Sequence, residues 1–328
     1  MIRTAMLSRW HVHANDYARQ AQENQDISIT AVWDEQPTRG QAWAEELKVP
    51  FYESLDALLS SDAIDAVIVD TPSNMHLDVI TKAAQHGKHI YTEKVMGFTV
   101  KECEEMFSAI DRAGVQFMIS LPRLTDPVYV YAQQALHDGL LGELQSIRCR
   151  LVHGGALPYE GHPHGWLPEH FFDPVACGGG ALIDLGAHPI YLTNRLAGPA
   201  KALSAHFSYN LGHEVEDHAV VVVDYASGAV GILEAGFNAP ASPFLVELHG
   251  TKGSLLIEDN ALKIKSVDMG NEWVHPQLPA PLARPMEQWA NAIVNGTAPT
   301  ITRDDAIALT RINEAAKVAH QEGRRITL

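Results

Sequence analysis

Two pairs of residues in this sequence are suited to acid–base chemistry: Glu93 with Lys94, and Asp184 with His188. Glu93 and Lys94 follow a short apolar run at residues 90–91 and form an acid–lysine pair at the end of a predicted strand. Asp184 and His188 stand four apart in a stretch that opens with Gly178, Gly179 and Gly180. Where that stretch is helical, both side chains share one face. A carboxylate near an imidazole can orient it, raise its basicity and make it a proton acceptor near pH 7. The plainer alternative is a helix N-terminus with Asp184 as its cap and His188 packed in a core. Consecutive glycines let the backbone approach something closely. A lysine at a strand's end is ordinarily a solvated surface residue.

These residues need elements to position them, and the first third of the chain supplies an alternating series. Short apolar runs at residues 2–7, 27–33, 49–52, 66–69, 90–91 and 115–119 read as strands. Helical patterns fall between them at residues 17–24, 38–47 and 77–86. A further helix is opened by the Thr99 to Glu102 capping box and ended by Gly114. Such repeated alternation predicts a parallel sheet covered on both faces. After Ser120 a helix at 126–139 gives way to longer strands at 144–152, 202–209, 218–225, 229–237, 244–249 and 254–257. Helices are expected at 186–196 and, with Thr302 as N-cap, at 304–321. The fold class is therefore α/β: an N-terminal Rossmann-like parallel sheet over 1–120, then an α/β domain over 121–328 with a large, mostly antiparallel open sheet. The C-terminal helix is a candidate to pack back on the first domain.

An open parallel sheet binds its ligand at the carboxyl ends of the strands. A dinucleotide pyrophosphate there ordinarily meets a Gly-x-Gly-x-x-Gly turn and a helix N-terminus. Residues 8–17 contain no glycine. Ser8, Arg9, His11 or His13 could donate to phosphate instead, or the segment is a packed turn plugged by Trp10. Asp34, at the end of the second strand, suits a ribose hydroxyl and repels a 2′-phosphate, favouring NAD over NADP, with Arg39 pulling the other way. Thr71, Pro72, Asn74 and His76 follow the strand at 66–69, where Pro72 forces an extended turn at the binding edge.

His153, His162, His164 and His170 crowd around Trp166. Histidine-rich tracts can bind zinc. Pro163 and its flanking glycines suggest a loop instead, and no cysteine or carboxylate there has clear ligand spacing, so no metal is expected. His162, His164 and Trp166 are candidate substrate contacts, Trp166 by stacking on a sugar face. His11 and His13 are a weaker candidate metal pair. Arg123 is expected either to contact substrate or to form a structural ion pair.

Composition narrows the partners. The chain has 328 residues, with 24 Lys plus Arg against 40 Asp plus Glu, giving a formal charge of −16. Such a surface repels nucleic-acid backbones and anionic lipid. No apolar run approaches the ~20 residues of a spanning helix. Three widely spaced cysteines read as reduced thiols in a cytoplasm.

Taken in order, Thr71-Pro72 with His76, then Glu93-Lys94, then Gly178, Gly179, Gly180, Asp184, Gly186 and His188 resemble the Gfo/Idh/MocA oxidoreductases. The resemblance spans essentially the whole chain. It implies a Rossmann domain followed by an open-sheet domain used for assembly, here a homodimer or homotetramer. It also implies NAD(P)-linked oxidation or reduction of a sugar, polyol or related small molecule. Carried over, Glu93 and Lys94 would lie against the cofactor and Lys94 would hydrogen-bond the reacting oxygen. His188 would be the acid/base, and Asp184 would position substrate and histidine. This reading requires the lysine of the front half and the acid–imidazole pair of the back half to reach one substrate. The chain departs from the family at the glycine-free segment 8–17 and at Val95, where the family usually has proline. Two other activities remain open. One is a redox-neutral lyase or glycosidase-type reaction on bound NAD; the other is a ligand-binding protein without dinucleotide chemistry.

Overall fold

The structure, a computed structural model, describes all of residues 1–328. Its contacts divide the chain into two units: Met1–Leu121 with Ala283–Ala306, and Pro122–Leu282 with Ile307–Leu328.

In the first unit β1 (Ile2–Leu7), β2 (Ile27–Trp33), β3 (Ala66–Val69), β4 (His89–Thr92) and β5 (Phe117–Ile119) form a wholly parallel sheet in the order β2-β1-β3-β4-β5. All four residues of β3 are inaccessible to solvent, which is why this strand reads as an unbroken apolar run. Residues 49–52 are not a strand. They make one isolated bridge, Phe51 to Val32, because Lys48 turns left-handed at the end of the preceding helix and Pro50 has no amide to donate. The connecting helices are α1 (Ala14–Glu23), α2 (Pro37–Leu47), α3 (Leu55–Leu59), α4 (His76–Gln85) and α5 (Val100–Ala113). α1 starts three residues earlier than its sequence suggested, and α3 was not anticipated. The capping box of α5 is present, with Glu102 N–H donating to Thr99 Oγ1 at 3.2 Å and Thr99 N–H to Glu102 Oε2 at 3.0 Å.

In the second unit α6 (Pro127–His137) leads to β6 (Leu144–Val152). After a long loop come α7 (Pro174–Cys177), α8 (Ala181–Asp184) and α9 (Ala187–Ala197). The strands β7 (Ala200–Ser208), β8 (His218–Tyr225), β9 (Val230–Gly236), β10 (Leu245–Gly250), β11 (Gly253–Glu258), β12 (Ala261–Ser266) and β13 (Ile326–Thr327) complete an eight-stranded sheet. Its order is β12-β11-β10-β6-β9-β8-β7-β13, antiparallel except for the β6–β9 pair. α8 and α9 pack against its central strands. β8 shows the expected two-residue period: Ala219, Val221, Val223 and Tyr225 are buried, while Val222 is exposed. β12 was missed in the sequence, although Leu262 and Ile264 point inward between the outward Lys263 and Lys265.

The chain then returns to the first unit. α10 (Pro285–Asn295) packs against β4 and β5, with Trp289 wholly buried and its ring 5.7 Å from that of Tyr91. α11 (Arg303–Glu322) follows, and Thr302 precedes it, donating from both N–H and hydroxyl to Asp305. No helix is long and apolar enough to cross a membrane.

Candidate active site

The carboxyl ends of the parallel strands carry a buried cluster of polar groups. β1 delivers Ser8, which adopts φ +76°, the left-handed conformation for which glycine is usually selected. Its hydroxyl oxygen accepts from Trp10 N–H and Arg39 Nη2, both at 3.1 Å. Trp10 is buried, as the packed-turn reading expected. Arg9 runs outward, its guanidinium bonded to Asn15 and Glu46 and lying 5.5 Å from the Trp43 ring centroid.

Glu93 and Lys94 are 2% and 5% exposed, so this lysine is not a solvated surface residue. Lys94 Nζ is 3.7 Å from Glu93 Oε1. Glu93 Oε2 is 3.1 Å from His13 Nδ1 and 3.8 Å from His11 Nδ1, and it accepts the Tyr17 hydroxyl proton. Burial alone would raise the pKa of Glu93. The neighbouring imidazoles of His11 and His13, with Lys94, hold it well below the usual carboxylate range. Burial, reinforced by Glu93, pushes Tyr17 well above the ordinary phenol. Asp70, at the end of β3, is wholly buried with neither carboxyl oxygen hydrogen-bonded, and burial and the Glu93 charge raise its pKa well above normal. The peptide between Lys94 and Val95 is cis.

Thr71 and His76 are buried, and Asn74 is exposed. His76 braces the cluster: its Nδ1 is 2.9 Å from Val95 O and its Nε2 is 3.2 Å from Thr71 O. Burial lowers the His76 pKa despite these carbonyls, so the ring is held neutral and donates to one of them. Asp34 receives four donors: Arg9 N–H at 2.9 Å, Gln36 N–H at 2.7 Å, Arg39 Nε at 2.8 Å and Arg39 Nη2 at 2.7 Å. Arg39 Nη2 also reaches Glu35 at 2.5 Å.

In the second unit the Gly-rich segment wraps around Glu216, a residue that sequence reasoning missed. Glu216 Oε2 accepts Gly180 N–H at 2.9 Å and Oε1 accepts Leu182 N–H at 3.0 Å; its backbone oxygen accepts Ala181 N–H. A Cβ on Gly180 would lie 2.1 Å from that backbone oxygen. This is the close approach the glycines allow. Gly180→Ala is expected to cost about 1–3 kcal/mol or more from overpacking, read as a lower denaturant midpoint. An unchanged midpoint would show that the contact is soft.

Asp184 and His188 do not share one continuous helix. Asp184 ends α8, and His188 lies in the first turn of α9 beyond Gly186. Both are half-buried. His188 Nδ1 is 2.7 Å from the Tyr191 hydroxyl, which also accepts Arg123 N–H at 3.4 Å. Tyr191 is a second residue not singled out in the sequence, although its place three positions after His188 puts it one turn along α9. The Arg123 guanidinium stacks 4.2 Å over Phe244, a cation–π contact in place of the ion pair considered from sequence. His162, His164 and Trp166 are all exposed on the loop after β6. There the Trp166 ring lies 4.7 Å from that of His153, and His162 stacks on Tyr159 at 4.4 Å.

Comparison with known proteins settles the lineage. Residues 10–121 match the profile described as "Oxidoreductase family, NAD-binding Rossmann fold", and residues 129–256 match the "GFO/IDH/MocA C-terminal domain". This chain belongs to the Gfo/Idh/MocA family. It is a member of an NAD-binding oxidoreductase family whose named relatives include sugar and polyol dehydrogenases. One relative in that family is the 2,7-anhydro-N-acetylneuraminate hydratase of Escherichia coli K12, 30% identical over 254 residues. That match covers 74% of this chain but only 64% of the hydratase. A second is the scyllo-inositol 2-dehydrogenase (NAD(+)) of Bacillus subtilis 168, 25% identical and covering 92% of this chain and 88% of the relative. The fold is also that of a levoglucosan dehydrogenase solved with NADH and levoglucosan. The TM-score is 0.84 at 19% identity, with 99% of this chain and 98% of that one covered.

The family cofactor finds suitable groups in this Gfo/Idh/MocA chain. Buried Thr71 Oγ1 has no hydrogen-bond partner, a donor and acceptor left over at the ligand edge of the sheet. Ser8 reproduces with a hydroxymethyl side chain the backbone turn that glycine ordinarily makes.

Proposed function

We propose that this protein is an NAD-dependent dehydrogenase or reductase acting on a hydroxyl or keto group of a sugar, polyol or related small molecule. The observation that carries this reading is a lysine held buried beside an ionised glutamate at the ligand edge of a parallel sheet, in a chain of an NAD-binding oxidoreductase family. NAD, when bound, accepts or returns the hydride at its nicotinamide ring. Ser8, His11, Thr71, Pro72 and Glu93 would line its site, with Asp34 and Arg9 towards the ribose and phosphate side. Lys94, as a cation, stabilises negative charge growing on the substrate oxygen. His188 takes the hydroxyl proton during oxidation and returns it during reduction. Asp184 orients substrate and imidazole. His162, His164 and Trp166 offer polar and stacking contacts to a carbohydrate from the loop after β6.

The cofactor preference follows from charge. Asp34 and Glu35 place two carboxylates against the single guanidinium of Arg39, leaving a net negative charge where NADP carries its 2′-phosphate. NAD should therefore be preferred. Asp34→Asn should narrow the NAD:NADP ratio of kcat/KM by about tenfold or more; a ratio unmoved by the substitution would remove Asp34 from the ribose site.

The test is a calorimetric titration of the full chain with NAD, followed by a panel of cyclic polyols and pyranoses assayed for NADH absorbance. Binding with NADH accumulation supports the reading. Binding with substrate turnover but no net NADH supports instead the redox-neutral reaction, which the relationship to the hydratase favours. Failure to bind NAD would overturn both. We further infer a homodimer or homotetramer through the open face of the eight-stranded sheet, where Val222, Val230 and Ile232 lie exposed. Light scattering coupled to chromatography reads that directly. The three buried cysteines, none of them in a disulfide, support a cytoplasmic setting.

A further inference from the structure

We propose that His11, His13 and Glu93 form a binding site for a divalent transition-metal ion of the zinc class. The sequence showed only the histidine pair; the fold brings the third ligand from a residue far along the chain. The candidate ligand atoms of the three side chains all lie within 4.8 Å of one another.

The geometry matches a tetrahedral ion. Bonds of about 2.0–2.2 Å to nitrogen and oxygen give donor–donor edges of roughly 3.3–3.6 Å. The Glu93 Oε2 distances to His13 Nδ1 and His11 Nδ1, 3.1 Å and 3.8 Å, bracket that range. The imidazole centroids are 4.6 Å apart, so the two rings lie side by side. Coordination through His11 Nδ1 would replace the hydrogen bond it now accepts from His13 N–H at 3.2 Å.

A further observation points to a cation. Glu93 Oε1 is buried with no hydrogen-bond partner, with only the Lys94 ammonium 3.7 Å away. An oxygen buried without a hydrogen bond is costly, and a metal ion bound through this carboxylate would offset part of that cost. The remaining contacts are those of a metal ligand's supporting shell: Tyr17 donates to Glu93 Oε2, and Lys94 lies against Oε1. Two imidazoles and one carboxylate form a three-ligand set that leaves a coordination position open to an oxygen donor, as in catalytic rather than structural zinc sites.

This site goes beyond the proposed reaction, and its test reads metal rather than turnover. Tag-free full-length protein, stripped with a chelator, is titrated with Zn2+ by calorimetry and with Co2+ by visible absorption. One equivalent should bind, and Co2+ should give the intense d–d bands of low-coordinate geometry. The His11→Ala/His13→Ala variant should lose at least about a hundredfold in affinity, while His162→Ala/His164→Ala should keep it. If the double variant fails to fold by circular dichroism, His13→Gln alone carries the comparison. Absence of stoichiometric uptake by the wild type overturns the site. Uptake that survives the His11/His13 substitutions, or that disappears with His162 and His164, does so equally.

Discussion

His188→Ala lowers kcat by about 10²–10⁴-fold, the usual worth of a positioned general base, while thermal melting stays close to wild type. The side chain is only half-buried, so its removal leaves no large cavity. Tyr191 oxygen already accepts Arg123 N–H, and it lies 2.7 Å from His188 Nδ1. When Nδ1–H donates to that oxygen, the ring's lone pair is carried by Nε2, the nitrogen that would take a proton from a hydroxyl. Tyr191→Phe should therefore cost less, up to about tenfold, the equivalent of one neutral hydrogen bond. Unchanged turnover in His188→Ala, measured against whichever substrate the panel yields, sinks the assignment.

Lys94→Met should cost about 10²–10³ in kcat, as expected when one preorganised charge facing a developing oxyanion is lost. Methionine keeps much of the apolar stem but removes the ammonium. It also removes one of the cations beside buried Glu93, leaving only the His11 and His13 imidazoles, so a stability loss of up to about 3–5 kcal/mol is expected alongside. Lys94→Arg separates the two effects. It keeps the positive charge beside Glu93 and should stay folded, yet its planar fork does not replace a point charge. A folded Lys94→Arg protein with full activity would show that charge suffices and position does not. A folded Lys94→Met protein with full activity would remove Lys94 from the chemistry.

The parts of the fold that could be read from sequence were those where burial imposes a strong pattern. β1 through β4 are short apolar runs because their sheet is shielded from water, and β6, β8 and β9 alternate because α8 and α9 cover one face. The misreadings share a cause: local pattern was weak or misleading. Residues 49–52 look like a strand in composition, but Pro50 and the left-handed Lys48 limit them to a bridge. α10 is short and begins at a proline after a proline-rich stretch, and its burial comes from β4, β5 and α1, all made much earlier.

The site divides in the same way. Lys94, Asp184 and His188 were visible through spacing and family resemblance. Tyr17, Asp70, Tyr191 and Glu216 were not, because their roles are contacts rather than motifs. Tyr17 is 76 positions from Glu93, and Glu216 is 36 positions from Gly180. The break at Gly186 also escaped the helical reading of Asp184 and His188, since a four-residue helix carries too few turns to show a period.

The return of α10 bears on how this chain is made. Met286 and Trp289 fill the apolar surface beside β4 and β5, and Trp289 packs on Tyr91. A ribosome that has released only the first 121 residues has not yet supplied that cover. The nascent first unit must wait, with greasy strand surface open to chaperones, until residues 283–306 have been translated. A gene fragment cut at the end of β5 should accordingly aggregate on expression, and supplying residues 283–306 through a short tether should restore a soluble product.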